Sequence, residues 1–238
     1  MSRLESPRLQ QLKPVQRPRL YEQVAGQITE WITTNGVRSG DRLPPERELA
    51  TQLGVSRATI SQALVALEVV GAVVVRHGDG AIVTDVAGTP RIVEAIRAHA
   101  NRLPEIIDAR DALESKIAAL AAERRTDAHL AEIDAALDAM EADIDAGGRG
   151  VEGDELFHAA VTGAAASGLL SKMMREIGEL VLETRIESLG QPGRPRESLA
   201  AHRRIADAIR AGDPAAAAAA MHAHVMRVSD VAILHDEG

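Results

Sequence analysis

Asp154 and His158 stand four residues apart. On a helix that spacing puts both side chains on one face. His202 falls on an apolar stripe with Leu199, Ile205, Ala206 and Ile209, and His224 on another with Met221, Val225 and Val228. Three imidazoles and a carboxylate meeting in a helical bundle would suit a divalent transition metal such as Zn, Ni or Mn. A histidine on an apolar face can equally be a hydrogen-bonded core residue, and His222 is an alternative to His224 within Met221-His222-Ala223-His224. His77, His99, His129 and His235 have no such setting and read as surface or wing residues. Arg110 lies on the inward stripe of Ile106, Leu113 and Ile117. A buried guanidinium needs a partner. Glu114, one turn on, is one candidate. The carboxylate of a ligand, gripped by the bidentate fork, is the other.

The elements that must position these residues are helical. From Pro90 onward the chain is rich in alanine and has no strand-like alternation. Helices are expected at 91–101, 104–124, 127–146, 152–166, 168–189, 196–211 and 214–234, broken at Pro104, Thr126, Gly147-Gly148, Ser167-Gly168, the 190–195 loop and Gly212-Asp213-Pro214. Such a set buries its apolar stripes as an antiparallel bundle. The run of alanines at 215–220 favours helix and close helix approach.

The first 86 residues differ. Apolar spacing predicts a helix over 20–35, stopped by Asn35-Gly36. Pro44-Pro45 opens a short helix at 46–53, ended by Gly54. Ser56 is a good N-cap for a third helix at 57–70. Two β-branched runs, 73–75 and 81–83, flank a Gly-rich turn and signal a hairpin. This order is a winged helix-turn-helix, whose third helix enters the major groove. The expected fold is mainly α: a winged helix-turn-helix domain at 1–86, a linker at 87–90, and an all-α bundle at 91–238.

Composition narrows the classes. There is no cysteine, so disulfides, thiol nucleophiles and Cys-ligated metal are excluded. Aromatic residues are 1% of the chain, so the core must be aliphatic. No apolar run is long enough to span a bilayer and the N-terminus has no secretory h-region, so a cytoplasmic protein is expected. The net charge of −8 divides unevenly: +1 over 1–86 and −9 over the remainder. Residues 1–20 carry five basic groups and one acid. That asymmetry fits a nucleic-acid-binding head on an acidic body, and also fits a solvated basic tail.

Several motifs carry a family resemblance. Leu43-Pro44-Pro45-Glu46-Arg47-Glu48-Leu49-Ala50, Leu53-Gly54-Val55-Ser56-Arg57, Ala63-Leu64 with Leu67-Glu68 and Gly71, and Gly78-Asp79-Gly80-Ala81-Ile82-Val83 resemble the DNA-binding domain of the GntR superfamily of bacterial transcription regulators. Arg47 and Arg57 bracket the turn and can reach phosphates. Ser56, Thr59, Ser61 and Gln62 lie at the start of the recognition helix. Arg76, His77, Gly78 and Gly80 form the wing, where glycine lets the backbone approach the minor groove. Ser61 departs from the arginine common in the family and cannot make its bidentate guanine contact.

Asp108-Ala109-Arg110 with Leu113-Glu114, Asp154 with Phe157-His158, His202 with Ile205 and Ile209, and Met221 with His224 resemble the FCD effector domain of the FadR-type branch. The resemblance implies Asp154, His158, His202 and His224 as ligands of a divalent metal. It implies Arg110 as the group that holds the carboxylate of a small organic acid. The family's Asn and following Pro are replaced by Ser167 and Gly168, and either Arg175 or Arg185 is expected to face the pocket. The implied function is a homodimeric transcription regulator that reads a palindromic operator and answers to a small carboxylate. It is not an enzyme. The rivals are an acyl-CoA-type regulator without metal and a small metallo-hydrolase, which would need a general base besides the ligands.

Overall fold

The structure, a computed structural model, describes residues 19–76, 80–84 and 89–228. It is mainly helical: α1 (Leu20–Thr34), α2 (Glu46–Leu53), α3 (Arg57–Val69), β1 (Val73–Arg76), β2 (Gly80–Val83), α4 (Thr89–Arg124), α5 (Asp127–Asp145), α6 (Val151–Ala164), α7 (Gly168–Glu176), α8 (Gly178–Leu189), α9 (Arg194–Ala211) and α10 (Pro214–Val228). No described helix is long and apolar enough to cross a membrane.

The head is built as its punctuation requires. Gly54 ends α2 at φ +66°, in the left-handed region that glycine enters without strain. The Ser56 hydroxyl accepts the Thr59 N–H at 3.1 Å and caps α3. β1 and β2 pair antiparallel with Val73 opposite Val83 and Arg76 opposite Gly80. Ile28 and Ile32 of α1 pack with Ile60, Leu64 and Leu67 of α3 and with Val73 and Val83 of the hairpin. Trp31 lies on the outer side of α1 and is 39% exposed.

In the body, Ile117 of α4, Ile133 and Met140 of α5, Phe157 and Val161 of α6, Ile205 and Ile209 of α9, and Met221 and Val225 of α10 form one aliphatic core with a single aromatic ring. Two expected breaks move. Pro104 does not separate two helices but lies inside α4, a continuous 36-residue helix. The missing N–H and the ring clash cost about 3 kcal/mol or more. Burial of Leu103, Ile106 and Ile107 beside the proline, and of Ile92 and Ile96 farther up, offsets that cost. Ile92 and Ile96 belong to the core of the head. Thus α4 begins at Thr89, inside the expected linker, and joins the two halves as a rod, while 85–88 lie outside the described residues. The single helix expected over 168–189 is instead two, since α7 ends at Glu176 and Gly178 opens α8.

His99, expected at the surface, is buried on α4. Its Nδ1 lies 2.9 Å from Glu183 and its Nε2 3.0 Å from Glu187, both on α8. His129 is half-buried and completes a capping box at the start of α5, while His77 and His235 lie outside the described residues.

Two consequences can be measured. A Cβ on Gly153 would sit 2.4 Å from Met140 Cα, so Gly153→Ala must push α6 off α5. Overpacking of this kind costs about 1–3 kcal/mol. Thermal unfolding of that variant is expected to drop by several degrees, and an unchanged midpoint would contradict the close approach. Burial alone would lower the pKa of His99, but Glu187 and then Glu183 outweigh it and raise the pKa above the usual histidine value. The bridge therefore stabilises the fold fully below about pH 6.5, and that contribution is lost as pH rises through the folded-state value. The stability gap between the native protein and His99→Gln is expected to narrow between pH 6 and 9 in urea titrations.

Candidate metal centre and nucleic-acid interface

Three helices deliver the four candidate ligands. Asp154 and His158 come from the first two turns of α6, His202 from α9 and His224 from α10, and all four are buried. Each offers one ligand atom, and the four atoms lie within 4.8 Å of one another. Nε2 of His202 is 3.3 Å from Nε2 of His224 and 3.5 Å from Asp154 Oδ1, while His158 Nε2 is 3.9 Å from Asp154 Oδ2. Atoms bound at about 2.1 Å to one ion stand about 3.0–3.4 Å apart. The cluster is thus near the size of a coordination shell. Nε2 of His158 and Nδ1 of His202 are buried without a hydrogen-bond partner. Unsatisfied buried polar atoms are costly, and a cation would satisfy those that face it. His222 is no substitute for His224: it is exposed and paired with Asp111 at 2.8 Å.

The protonation states suit a metal. Burial pushes the His202 pKa down to about 3. Burial, reinforced by His202 and His158, pushes His224 well below its usual value. Both rings are neutral at neutral pH, so their lone pairs are free for a cation. Phe157 stacks on His202 with centroids 4.2 Å apart and fixes the plane of the ring.

Glu114 was expected only as a possible partner for Arg110, and it does more. One carboxylate oxygen accepts Arg110 Nε at 2.7 Å, and the other pairs with His158 Nδ1. A carboxylate on the far nitrogen orients the ring so that Nε2 faces the ligand cluster. Burial would raise the pKa of Glu114, but Arg110, His158 and Arg185 together hold it well below the usual carboxylate range. Arg110 Nη1 also donates to Thr184 Oγ1 at 2.9 Å, and Nη2 is left buried without a partner. Of the two arginines left open by the sequence, Arg185 is buried with Nε 3.1 Å from Asp154 Oδ2, whereas Arg175 is exposed. Both line a cavity of about 620 Å³ between α6, α7 and α8 that reaches His158. Thr184, next to Arg185, carried no sequence signal. Glu114 carried one, its place one turn after Arg110 on the inward stripe.

On the head, Arg47 projects from α2 and Arg57 from the first turn of α3, and both are exposed. Among the described residues neither has an ion-pair partner, nor does exposed Arg76 at the end of β1. The Ser56 and Thr59 hydroxyls hydrogen-bond to each other at 2.8 Å. Ser61 and Gln62 are half-buried on α3, and Gly80 starts β2 at φ +77°. His77 and Gly78 lie outside the described residues.

Known proteins match this chain over both halves. Residues 20–83 match the bacterial regulatory proteins of the gntR family, and residues 105–227 match the FCD domain. The HTH-type transcriptional regulator LutR of Bacillus subtilis is 32% identical over 209 residues, which are 84% of this chain and 95% of the relative. An HTH-type transcriptional regulator of Mycobacterium tuberculosis is 34% identical over 220 residues, 90% of this chain and 89% of the relative. Among solved structures, a GntR protein of Streptococcus agalactiae aligns with a TM-score of 0.49 at 29% identity, over 89% of this chain and 100% of that one. These relatives are regulators and not enzymes. The chain belongs to the GntR family, as a transcription regulator of the FadR type with an N-terminal DNA-binding helix-turn-helix and a C-terminal FCD domain.

Proposed function

We propose that this regulator senses a small organic acid through a metal held by Asp154, His158, His202 and His224. The observation that carries the reading is the convergence of these four buried groups beside two guanidiniums, one with an unpaired nitrogen, with His158 and Arg185 on the wall of an open cavity. The cation would supply a Lewis-acidic anchor for a hydroxy or keto acid. Arg110 Nη2 and Arg185 would receive the carboxylate. Glu114 keeps His158 oriented and balances the charge of Arg110. The metal is one of Zn, Ni or Mn. Arg47, Ser56, Arg57, Thr59, Ser61, Gln62, Arg76, His77, Gly78 and Gly80 would face operator DNA, with the arginines on phosphates. Two copies related by a two-fold axis would read a palindrome.

The path from acid to DNA runs through direct contacts between the halves. Arg149, just before α6, forms a bidentate ion pair with Glu68 of α3 at 2.8 and 2.9 Å. Glu68 also accepts the main-chain N–H of Val75 in the wing at 2.9 Å. At the end of α8, a Cβ on Gly190 would lie 2.5 Å from Val65 of α3. The helices that carry Asp154, His158 and Arg185 therefore abut the recognition helix. The DNA-binding unit on this reading is 1–86 with the first two turns of α4, and the body is the rest. A ligand that prefers one arrangement of α6 and α8 would shift the orientation of the heads.

Two experiments test this. Stripping with a chelator is expected to lower the unfolding midpoint, and saturating Zn, Ni or Mn to restore it by roughly 5–10 °C, the effect of a few kcal/mol on a chain of this size. His202→Ala and His224→Ala are expected to lose that response, and an identical melt with and without metal would sink the proposal. In gel shifts with a fragment upstream of the protein's own gene, Arg149→Gln is expected to shrink the change in operator affinity that the acid produces. Such coupling commonly amounts to 5–150-fold, at roughly 1–3 kcal/mol. An unaltered response would remove Arg149 from the path.

A further inference from the structure

We infer that the acid sensed by this protein carries a hydrocarbon body, which lies in the groove running from His158 along α6, and is neither a compact acid nor a polyhydroxy one. The inference rests on the reading above, since the carboxylate end is taken to sit at the metal and the guanidiniums. The anchoring end is marked by two buried groups with unspent polar atoms, Arg110 Nη2 and His158 Nε2. Arg185 and His158 themselves line the groove.

Beyond that end, the walls change character. Ala159 and Gly163 of α6 face Met174 of α7 and Val181 and Leu182 of α8 across the cavity. The protons of its two hydroxyls are already committed, so neither can donate to a ligand. Thr162 Oγ1 donates to the carbonyl of His158 at 2.8 Å, and Ser171 Oγ donates to the carbonyl of Ser167 at 3.0 Å. The remaining polar groups, Glu155, Arg175 and Glu179, are exposed side chains that water already solvates. A polyol acid placed along this wall would exchange hydration for contacts with methyl and methylene groups, which costs free energy for each unpaired hydroxyl. A hydrocarbon chain gains by the same transfer.

Size points the same way. The cavity measures about 620 Å³, whereas a water in the liquid occupies about 30 Å³ and a three-carbon acid only a few times that. The five residues from His158 to Gly163 advance about 7.5 Å along the helix, enough for a chain of several carbons. No heavy atom lies within 4 Å of a Cβ built on Gly163 or on Gly178, so the groove is open at both.

The test uses the full-length protein loaded with Zn, and three probes: pyruvate, 2-oxohexanoate and gluconate. Dissociation constants are read by calorimetry at equal free metal. Burying a methylene is worth about fourfold in affinity, so three extra carbons in an open groove are expected to tighten 2-oxohexanoate over pyruvate by on the order of tenfold or more. Gluconate, also six carbons long, is expected to bind more weakly than 2-oxohexanoate by a similar factor. Gly163→Leu fills the groove and replaces a helical glycine by a better helix former. It is expected to erase the advantage of 2-oxohexanoate, bringing it to within a few-fold of pyruvate. Equal constants for the three acids, tighter gluconate, or an advantage that survives Gly163→Leu would overturn this inference and leave the metal-and-acid reading standing. Failure of all three to bind the loaded protein would overturn both.

Discussion

Two carboxylates, two guanidiniums and three imidazoles, all buried, share one region of the body. Moving a single ion into such a setting costs several kcal/mol after relaxation. The charges tolerate it because they answer one another. Glu114 lies between Arg110 and His158, and Asp154 between Arg185 and the other imidazoles. No member can leave without stranding another. This mutual dependence fixes α4, α6, α8, α9 and α10 relative to one another more narrowly than aliphatic packing would. Alanine and leucine surfaces slide at small cost, while a paired charge in a dry interior has one good position. The cost that remains, in unsatisfied nitrogens, is one that a bound cation or ligand would relieve.

That region was partly readable before any coordinates. A histidine recurring in phase with Leu199, Ile205 and Ile209 must face inward, and the same holds for His224 among Met221 and Val225. The spacing of Asp154 and His158 gave their shared face directly. The head was readable for another reason. Its turns are enforced by residues with special backbone needs, Gly54 at positive φ and Ser56 as a cap, and such residues mark positions on their own. What resisted reading depended on tertiary context. Pro104 normally ends a helix, and here burial on both sides outweighs the lost hydrogen bond. Gly178 splits a stretch whose apolar pattern runs on without interruption. His99 looked solvated because its partners, Glu183 and Glu187, lie more than 80 residues away and no local spacing announces them.

The contacts between the halves follow a common plan. Two of the three helices that face the cavity reach the head at one end: α6 through Arg149 at its start, α8 through Gly190 at its close. A third connection is α4, whose apolar residues enter both cores. Events at the ligand cluster are therefore not confined to a flexible tether. On the proposed reading they act on helices whose ends already touch the recognition helix, which gives a displacement at the centre a direct mechanical route outward. Close packing makes such routes switch between discrete arrangements and not bend smoothly.

The scarcity of aromatic residues has an optical consequence. The single indole, Trp31, and the single phenol, Tyr21, both belong to α1 of the head, while the body has only Phe157. Tryptophan emission from this molecule reports on one half alone. The half exposed to solvent at Trp31 can brighten, shift or quench as the head moves, while the bundle proposed to bind the effector stays dark and serves as a silent background to its own signal.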